Sequence, residues 1–389
     1  MRLTKQFTAF FESEKSGGLI LIICTAVSLC LANSFCGKAY ISAFHVDIFF
    51  KPAEFWINDV LMTVFFLLVG LEIEREIYIG ELATIRKALL PAFAALGGMI
   101  VPAAIHYGFN RGTLFQQGFG IPMATDIAFS LGILSLLGKR VPASLKIFLT
   151  AVAIIDDLGA IIIIALFYSK DFSVSFLGLA LLLFLFMVFL NRLKFNSIPV
   201  YLLLGFIMWF FVYRSGIHPT ISGVLLAFAV PFGDGGENSP SHRLQGYLHK
   251  PVAFLILPLF ALANTCLIIP SVSVVTASLM SNSNSLGIMF GLLIGKPVGI
   301  FLAALLGAVF GFCSIPEDMR KRDLFGMGLL AGMGFTMSIF ITLLAFTDQQ
   351  VIITAKIAVI IASLAAGITG FLFLRFTLTS NQKTVNGCE

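Results

Sequence analysis

Charge is scarce in this chain: Asp, Glu, Lys and Arg make up 12% of its 389 residues, while 58% are apolar. With a mean hydropathy of +0.99, the sequence lies outside the range of a soluble domain. Long polar segments are missing as well. The longest polar connection, Pro231 to Lys250, is too short to hold a core, and its "GDGG" reads as a turn. The six cysteines (Cys24, Cys30, Cys36, Cys266, Cys313, Cys388) show neither CxxC spacing nor loop pairing. No metal or disulfide framework is therefore indicated, and they read as small apolar fillers. The run "GLLIGKP" is not a phosphate loop, because a Walker motif has one more residue between its glycines and Ser or Thr after the lysine. No span carries the GxGD motif that an intramembrane aspartyl protease requires. The chain is thus not read as an enzyme, and neither a cofactor nor a nucleic-acid partner is expected.

What is abundant is apolar length. A membrane span takes about 20 apolar residues, and twelve such runs are found, at 17–34, 58–77, 88–107, 117–137, 145–168, 173–191, 197–212, 217–231, 252–269, 286–311, 325–346 and 351–374. From Phe172 to Pro231 the runs are broken only by "NRLKFN" and "YRSGIHPT", so the sixth to eighth spans are the least defined and the chain as a whole fits ten to thirteen spans. The fold class is an all-α polytopic membrane protein, and residues 1–389 form a single transmembrane domain. Phe7, Phe10 and Phe11 suit a short interfacial helix over 5–14, and Glu12 and Glu14 argue against a cleaved signal. Residues 377–389 read as a disordered tail.

Eighteen of the 25 lysines and arginines fall on the side of the termini and five opposite (Lys38, Lys51, Arg111, Lys170, Arg214); Lys296 and Lys356 lie in or at the edge of spans. Cytoplasmic loops carry the basic excess, so both termini are expected in the cytoplasm. The net charge of +5 reflects this topology rather than nucleic-acid binding.

Function has to come from polar groups at membrane depth, since ionisable residues inside spans face a cavity, a partner or an ion path. Asp126, Asp156, Asp157 and Lys296 qualify. A buried ion pair holding helices together is the plainest explanation, but three carboxylates exceed one lysine. Adjacent carboxylates in a low dielectric do not both ionise easily, which couples their protonation to any cation bound nearby. Residues i and i+1 of a helix point about 100° apart. One of Asp156 and Asp157 is then free to ligate a cation while the other turns to a partner such as Lys296. Carboxylate, carbonyl and the Thr125 hydroxyl are ligands for a hard cation.

Two spans are interrupted. "GFGIPMATDIAFSLG" and "LLAGMGFTMSIFITLLAF" both place glycines ahead of a threonine, and Thr125-Asp126-Ile127-Ala128-Phe129 pairs with Thr336-Met337-Ser338-Ile339-Phe340. The expected topology runs them in opposite directions, as an inverted repeat with a midplane site requires. In the tenth span Gly287, Gly291, Gly295, Gly299, Ala303, Gly307 and Gly311 form a smooth packing stripe beside Lys296, and Pro297 weakens the helix ladder there.

Together "VFFLLVGLEIERE", "PMATDIAFSLGILSLLGKRVP", "LKIFLTAVAIIDDLGAIIIIALFY", "SGIHPTISGVLLAF", "ILPLFALAN", "GKPVGI" and "AGMGFTMSIFI" resemble the bacterial NhaA family of sodium/proton antiporters, from about Phe10 to Phe376. That family is itself an established example of inverted-repeat construction. The resemblance implies an inner-membrane exchanger of twelve helices, the fourth and eleventh broken and crossing. It assigns Asp156 and Asp157 to the essential acidic pair that binds Na+, Thr125 and Asp126 to the broken-helix site, and Lys296 to their charged partner. It further implies that sodium or lithium leaves in exchange for more than one proton, electrogenically, so that cytoplasmic pH and sodium are regulated. Glu72, Arg75, Glu76, His218 and His249 match the region that governs the pH response. There Gln245 and Gly246 replace the family's usual acid and histidine, which puts the usual pH profile in doubt. Against these roles stand ordinary ones: His218 and His249 as packing or capping residues, and Glu72, Glu74, Arg75 and Glu76 as a solvated helix end. Residues 44–56 resemble the family's β-hairpin, which pairs two protomers; the alternative is an interfacial loop with aromatic anchors. A sodium-coupled solute symporter is the competing function.

Overall fold

The computed structural model describes residues 14–80, 82–168, 173–269, 271–316 and 318–385; the expected interfacial helix over 5–14 lies outside them except for its last residue. In chain order the elements are α1 (Glu14–Ala32), α2 (Gly37–Phe44), β1 (Asp47–Ile48), β2 (Lys51–Pro52), α3 (Ala53–Tyr78) and α4 (Ile85–Asn110). A 3-10 limb, Leu114–Met123, leads into α5 (Ile127–Leu136). Then follow α6 (Ala143–Phe167), α7 (Val174–Arg192), α8 (Ile198–Arg214), α9 (Ile221–Ala229), α10 (Pro240–Asn264) and α11 (Val272–Ser281). Last come α12 (Ser283–Val309), α13 (Lys321–Ala331), α14 (Phe335–Ala345) and α15 (Gln349–Val385).

Each of the twelve apolar runs is helical, and the protein is an all-α polytopic membrane protein. Among the described residues seven helices are long and apolar enough to cross a bilayer. Three bent pairs bring the number to ten: α1 with α2 at 119°, the 3-10 limb with α5 at 42°, and α13 with α14 at 47°. The two remaining runs are short, α8 with 17 residues and α9 with 9. Gly216, in the left-handed region at φ 82°, and Pro219 separate them. The last helix continues through 385, so the part of the expected tail from 377 to 385 is helical instead. Neither proline nor glycine interrupts the chain there until Gly387.

Where the sequence reads as one domain, the packing resolves two compact units. One comprises residues 1–26, 84–160 and 267–389, the other 27–83 and 161–266. In the second, α3, α7, α8 and α9 bury Leu67, Leu71, Met187, Tyr201, Met208 and Leu226 in one core. The same unit holds a two-stranded antiparallel hairpin, with Asp47 opposite Pro52 and Ile48 opposite Lys51. The Trp56 indole donates to Ile48 O at 2.9 Å, and Phe49 and Phe50 stand exposed at the turn.

In the first unit α4 and α12 meet backbone to backbone, as the glycine stripe implies. A Cβ on Gly97 would run into Gly299 O, and one on Gly98 would lie 2.7 Å from Ile300 Cγ1 and 3.6 Å from Lys296 Cε. Only glycine permits such an approach, and it seats Lys296 against α4. A π turn, Gly291–Gly295, immediately precedes Lys296 and Pro297, which lacks the N–H that a regular ladder needs. Gly97→Leu should therefore force the two helices apart at an overpacking cost of about 1–3 kcal/mol. Thermal unfolding in detergent should show a lowered Tm; an unchanged value would mean that this contact is looser than described.

Candidate ion-binding site

α6 is an unbroken helix of 25 residues, and near its middle Asp156 and Asp157 are each 1% exposed. Neighbours on a helix diverge by about 100°, and the structure resolves which one takes the lysine. Asp156 Oδ2 lies 2.6 Å from Lys296 Nζ and accepts from Thr125 Oγ1 at 2.8 Å. Its other oxygen, Oδ1, has no hydrogen-bond partner among the described residues. Asp157 lies within electrostatic reach of the same ammonium. Lys296 is wholly buried and also donates to Met123 O, the carbonyl that ends the 3-10 limb. A cation there meets the negative end of a half-helix.

The Thr125 hydroxyl also lies 2.9 Å from Ala331 O, at the end of α13. One hydroxyl proton faces two acceptors, so the hydroxyl donates to only one of them at a time.

The two interruptions satisfy each other's open backbone groups. Asp126 caps α5, its Oδ1 accepting from Phe129 N at 3.0 Å. Its Oδ2 accepts from Thr336 N at 3.0 Å and Thr336 Oγ1 at 2.5 Å, at the start of α14. One carboxylate thereby neutralises the positive ends of two half-helices. The carbonyl ends are closed the same way: Asp126 N donates to Met333 O at 2.7 Å, Ser130 Oγ to Leu330 O at 3.1 Å and Ser338 Oγ to Ile121 O at 2.6 Å. Ser363 Oγ, on α15, accepts from Phe335 N at 3.1 Å. The two segments that share a pattern in the sequence thus touch, through Asp126 and Thr336. Ser130, Ser338 and Ser363 carried no sequence signal, because serines on apolar helices commonly bond their own backbone.

The residues matched to the pH response divide into two places within the second unit. Glu72, Arg75 and His249 gather where α3 meets α10. Arg75 Nη1 lies 3.5 Å from Gln245 Oε1, and His249 Nδ1 lies 3.9 Å from Glu72 Oε1 with the histidine largely exposed. Glu76 follows on the same helix and is half-buried. His218 is elsewhere: its Nε2 is 3.2 Å from Asp59 Oδ1, and its Nδ1 bonds Thr220 Oγ1 at 2.8 Å. Asp59 and Glu72 are 13 residues apart on α3, about 20 Å at 1.5 Å per residue. The reading of Glu74 as part of a solvated helix end is corrected: Glu74 is 4% exposed. It follows Leu67 and Leu71 on the buried stripe at spacings of seven and three, which was the available signal.

An all-α membrane protein whose two interrupted helices meet at buried carboxylates and a lysine has the construction of a secondary ion transporter. The chain belongs to the Na+/H+ antiporter 1 family, whose profile matches residues 8–374. It is 55% identical over 384 residues to Na(+)/H(+) antiporter NhaA 1 of Flavobacterium johnsoniae, covering 99% of this chain and 100% of that one. It is 54% identical over 378 residues to the NhaA antiporter of Flavobacterium psychrophilum, covering 97% and 98%. To the NhaA antiporter of Yersinia pseudotuberculosis it is 42% identical over 395 residues, covering 99% and 100%. The alternative of a sodium-coupled solute symporter finds no support in these relatives.

Thr336→Val removes the shorter of the two bonds that α14 gives Asp126 and leaves a buried carboxylate oxygen underbonded. A loss of about 1–3 kcal/mol is expected, read as a lower Tm, with Thr336→Ser restoring it. Equal stability of the valine and serine variants would show that this bond does not tie the crossing.

Proposed function

We infer that the chain is a Na+/H+ antiporter that carries sodium, and lithium by the same chemistry, at Asp156 and Asp157. The observation that supports this most is the buried Asp156–Lys296 pair beside a second aspartate, at the contact between two broken helices. In the arrangement described, the ammonium satisfies Asp156. A sodium ion approaching Asp156 Oδ1 and Asp157 brings the positive charge that the ammonium supplied and competes with it for the carboxylates. If the Thr125 proton turns to Ala331 O, the hydroxyl oxygen offers the ion a lone pair. Protons compete for these same carboxylates, so each ion leaves when the other binds. Exchange of more than one proton per sodium moves net charge, and each elementary charge is driven by about 2.3 kcal/mol per 100 mV of membrane potential. With both termini in the cytoplasm, as the lysine and arginine distribution implies, the protein resides in a bacterial inner membrane. There it expels sodium and regulates cytoplasmic pH. No cofactor enters this cycle. Two protomers pair through the 44–56 hairpin, whose Phe49 and Phe50 offer an apolar contact.

Sodium-induced collapse of a preset pH gradient in proteoliposomes, with no organic solute, tests the reading. Asp157→Asn should abolish it in folded, inserted protein, and Asp156→Asn should be nearly as severe; a near-normal rate in Asp157→Asn would remove the pair from the mechanism. Asp126→Ala should raise the apparent sodium KM, with Thr125→Ala milder. Unchanged KM in both would mean that the site stops short of the broken helix.

The pH profile carries a separate test. Gln245 does not titrate, and the remaining Glu72 and His249 contact is long, with the histidine largely exposed. Control then rests mainly with competition at the aspartates. Activity should rise gradually with pH, and its midpoint should move by up to about one unit per tenfold change in sodium, as mass action requires for one proton. Gln245→Glu places a carboxylate beside Arg75 and should move or steepen the profile. A steep profile whose midpoint ignores sodium would mean that a separate sensor governs the switch.

A further inference from the structure

Toward the end of α4 remote from Arg86, three polar side chains that no part of the exchange mechanism uses meet in full burial. They are His106, Asn110 and Asn284, each 0% exposed. Asn284 Oδ1 lies 3.0 Å from His106 Nε2, which makes Nε2 the donor and leaves the ring's lone pair on Nδ1. Asn110 is committed elsewhere: its amide nitrogen donates to His106 O at 2.9 Å and Ser283 O at 3.2 Å, and its oxygen accepts from Ser283 Oγ at 2.9 Å. The same nitrogen stands 3.5 Å from Nε2. His106 Nδ1 and Asn284 Nδ2 have no hydrogen-bond partner among the described residues. Buried polar atoms left in that condition are uncommon and call for a reason.

The ring occupies space that two glycines leave open. A Cβ on Gly287 would come within 2.9 Å of His106 Cδ2, and one on Gly118 within 3.1 Å of Cε1 and Nε2. Gly118 lies in the 3-10 limb, and on its other flank the same Cβ would meet Phe346 Cζ at 2.8 Å. The limb is therefore held between His106 and Phe346, while its far end delivers Met123 O to Lys296.

Among the described residues the ring forms no ion pair. The broad contacts of α4 are with α12 and the limb, and α6 meets it at Met99; beyond them Arg111 caps α4, and Asp348 follows Phe346 by two residues at an exposed position. The limb has no titratable group. On α12 the one such group is Lys296, and α6 carries Lys146, Asp156 and Asp157; α4 itself carries Arg86, Lys87 and Tyr107. Lys296 sits at the level of Gly98, eight residues from His106 and so about 12 Å along the helix, and Asp156 is bonded to it.

We propose that His106 Nδ1 is a proton-binding site that latches the 114–123 limb in place. With the lone pair on Nδ1, the ring fits its cradle as described. A proton taken from water at Nδ1 makes the ring a cation with a second N–H, for which the closed cluster holds neither an acceptor nor a carboxylate. Hydration of the ring then competes with its packing against Gly118, and the limb loosens. A conformation that binds the proton better gains population as pH falls.

Hydrogen–deuterium exchange of the full-length protein, followed by mass spectrometry, reads the limb directly and does not depend on transport. After correction for intrinsic rates, amides of 114–123 should exchange roughly tenfold faster at pH 5.5 than at pH 8 in the wild type, as local opening predicts. In His106→Gln, whose amide keeps a donor for Asn284 and does not titrate, the ratio should fall to about one. In Asn284→Asp, a carboxylate beside the ring should hold the protonated imidazole in place, so the limb stays protected at pH 5.5. Equal ratios in the wild type and His106→Gln would overturn the proposal, as would wild-type opening in Asn284→Asp. Should the glutamine variant fail to fold, the aspartate variant decides alone.

Discussion

The ion pair between Asp156 and Lys296 organises the first unit. Two charges removed from water must recover a large desolvation penalty, and they do so only with close geometry and additional hydrogen bonds. Both are present: a 2.6 Å contact, the Thr125 hydroxyl on the carboxylate and a carbonyl on the ammonium. The result is balanced rather than strongly favourable, since a buried pair gains little over apolar residues of the same size. Such a pair makes a poor rivet, and it suits the exchange proposed above, in which an incoming cation would replace one partner at small net cost. The broken helices make the surroundings equally convertible. Their half-helix ends supply partial charges of both signs, and Asp126 and Lys296 answer them with whole ones.

Much of this was legible in the sequence, for reasons that differ from residue to residue. Hydropathy alone located the twelve helical runs, because an apolar run of about 20 residues crosses a bilayer with its backbone satisfied only as a helix, barrel strands being about half as long. The acids were conspicuous because an ionisable residue in an apolar run has no ordinary explanation, and the excess of carboxylates over lysines pointed beyond a structural pair. That one of the two adjacent aspartates takes the lysine follows from helix geometry; which one does so depends on the rotation of α6, which tertiary packing sets. The kinship of the two interruptions was visible in their shared threonines. Their mutual capping was not, since Asp126 Oδ2 and Thr336 are 210 residues apart in sequence.

What stayed hidden has a common character. Ser130, Ser338 and Ser363 act through distant carbonyls and amides, and a serine in a helix looks the same whether it bonds its own turn or another helix. His218 shares its residue type with His249, yet Asp59 and Thr220 hold it about four turns of α3 away from Glu72. Glu74 stands among three charged neighbours, and only its register with Leu67 and Leu71 separates it from them. His106 and the two asparagines read as scattered polar residues near loop ends until the fold brings α4 and α12 together. In each case the missing information is which face of a helix meets which neighbour.

The meeting of α4 and α12 through Gly97 and Gly299 has a mechanical corollary. Helices separated by layers of side chains can shear, because rotamers absorb the slip. Here a Cβ on either glycine would run into the other's carbonyl, so no compliant layer lies between the helices and the pair is built as one plate. Lys296 is bolted to that plate. Its ammonium can then leave Asp156 in only two ways: by swinging on its own four-carbon stem, or by staying still while α6 and the broken helices travel past it. The first limits the stroke to the reach of one side chain. The second would leave the lysine still while its neighbours rearrange around it.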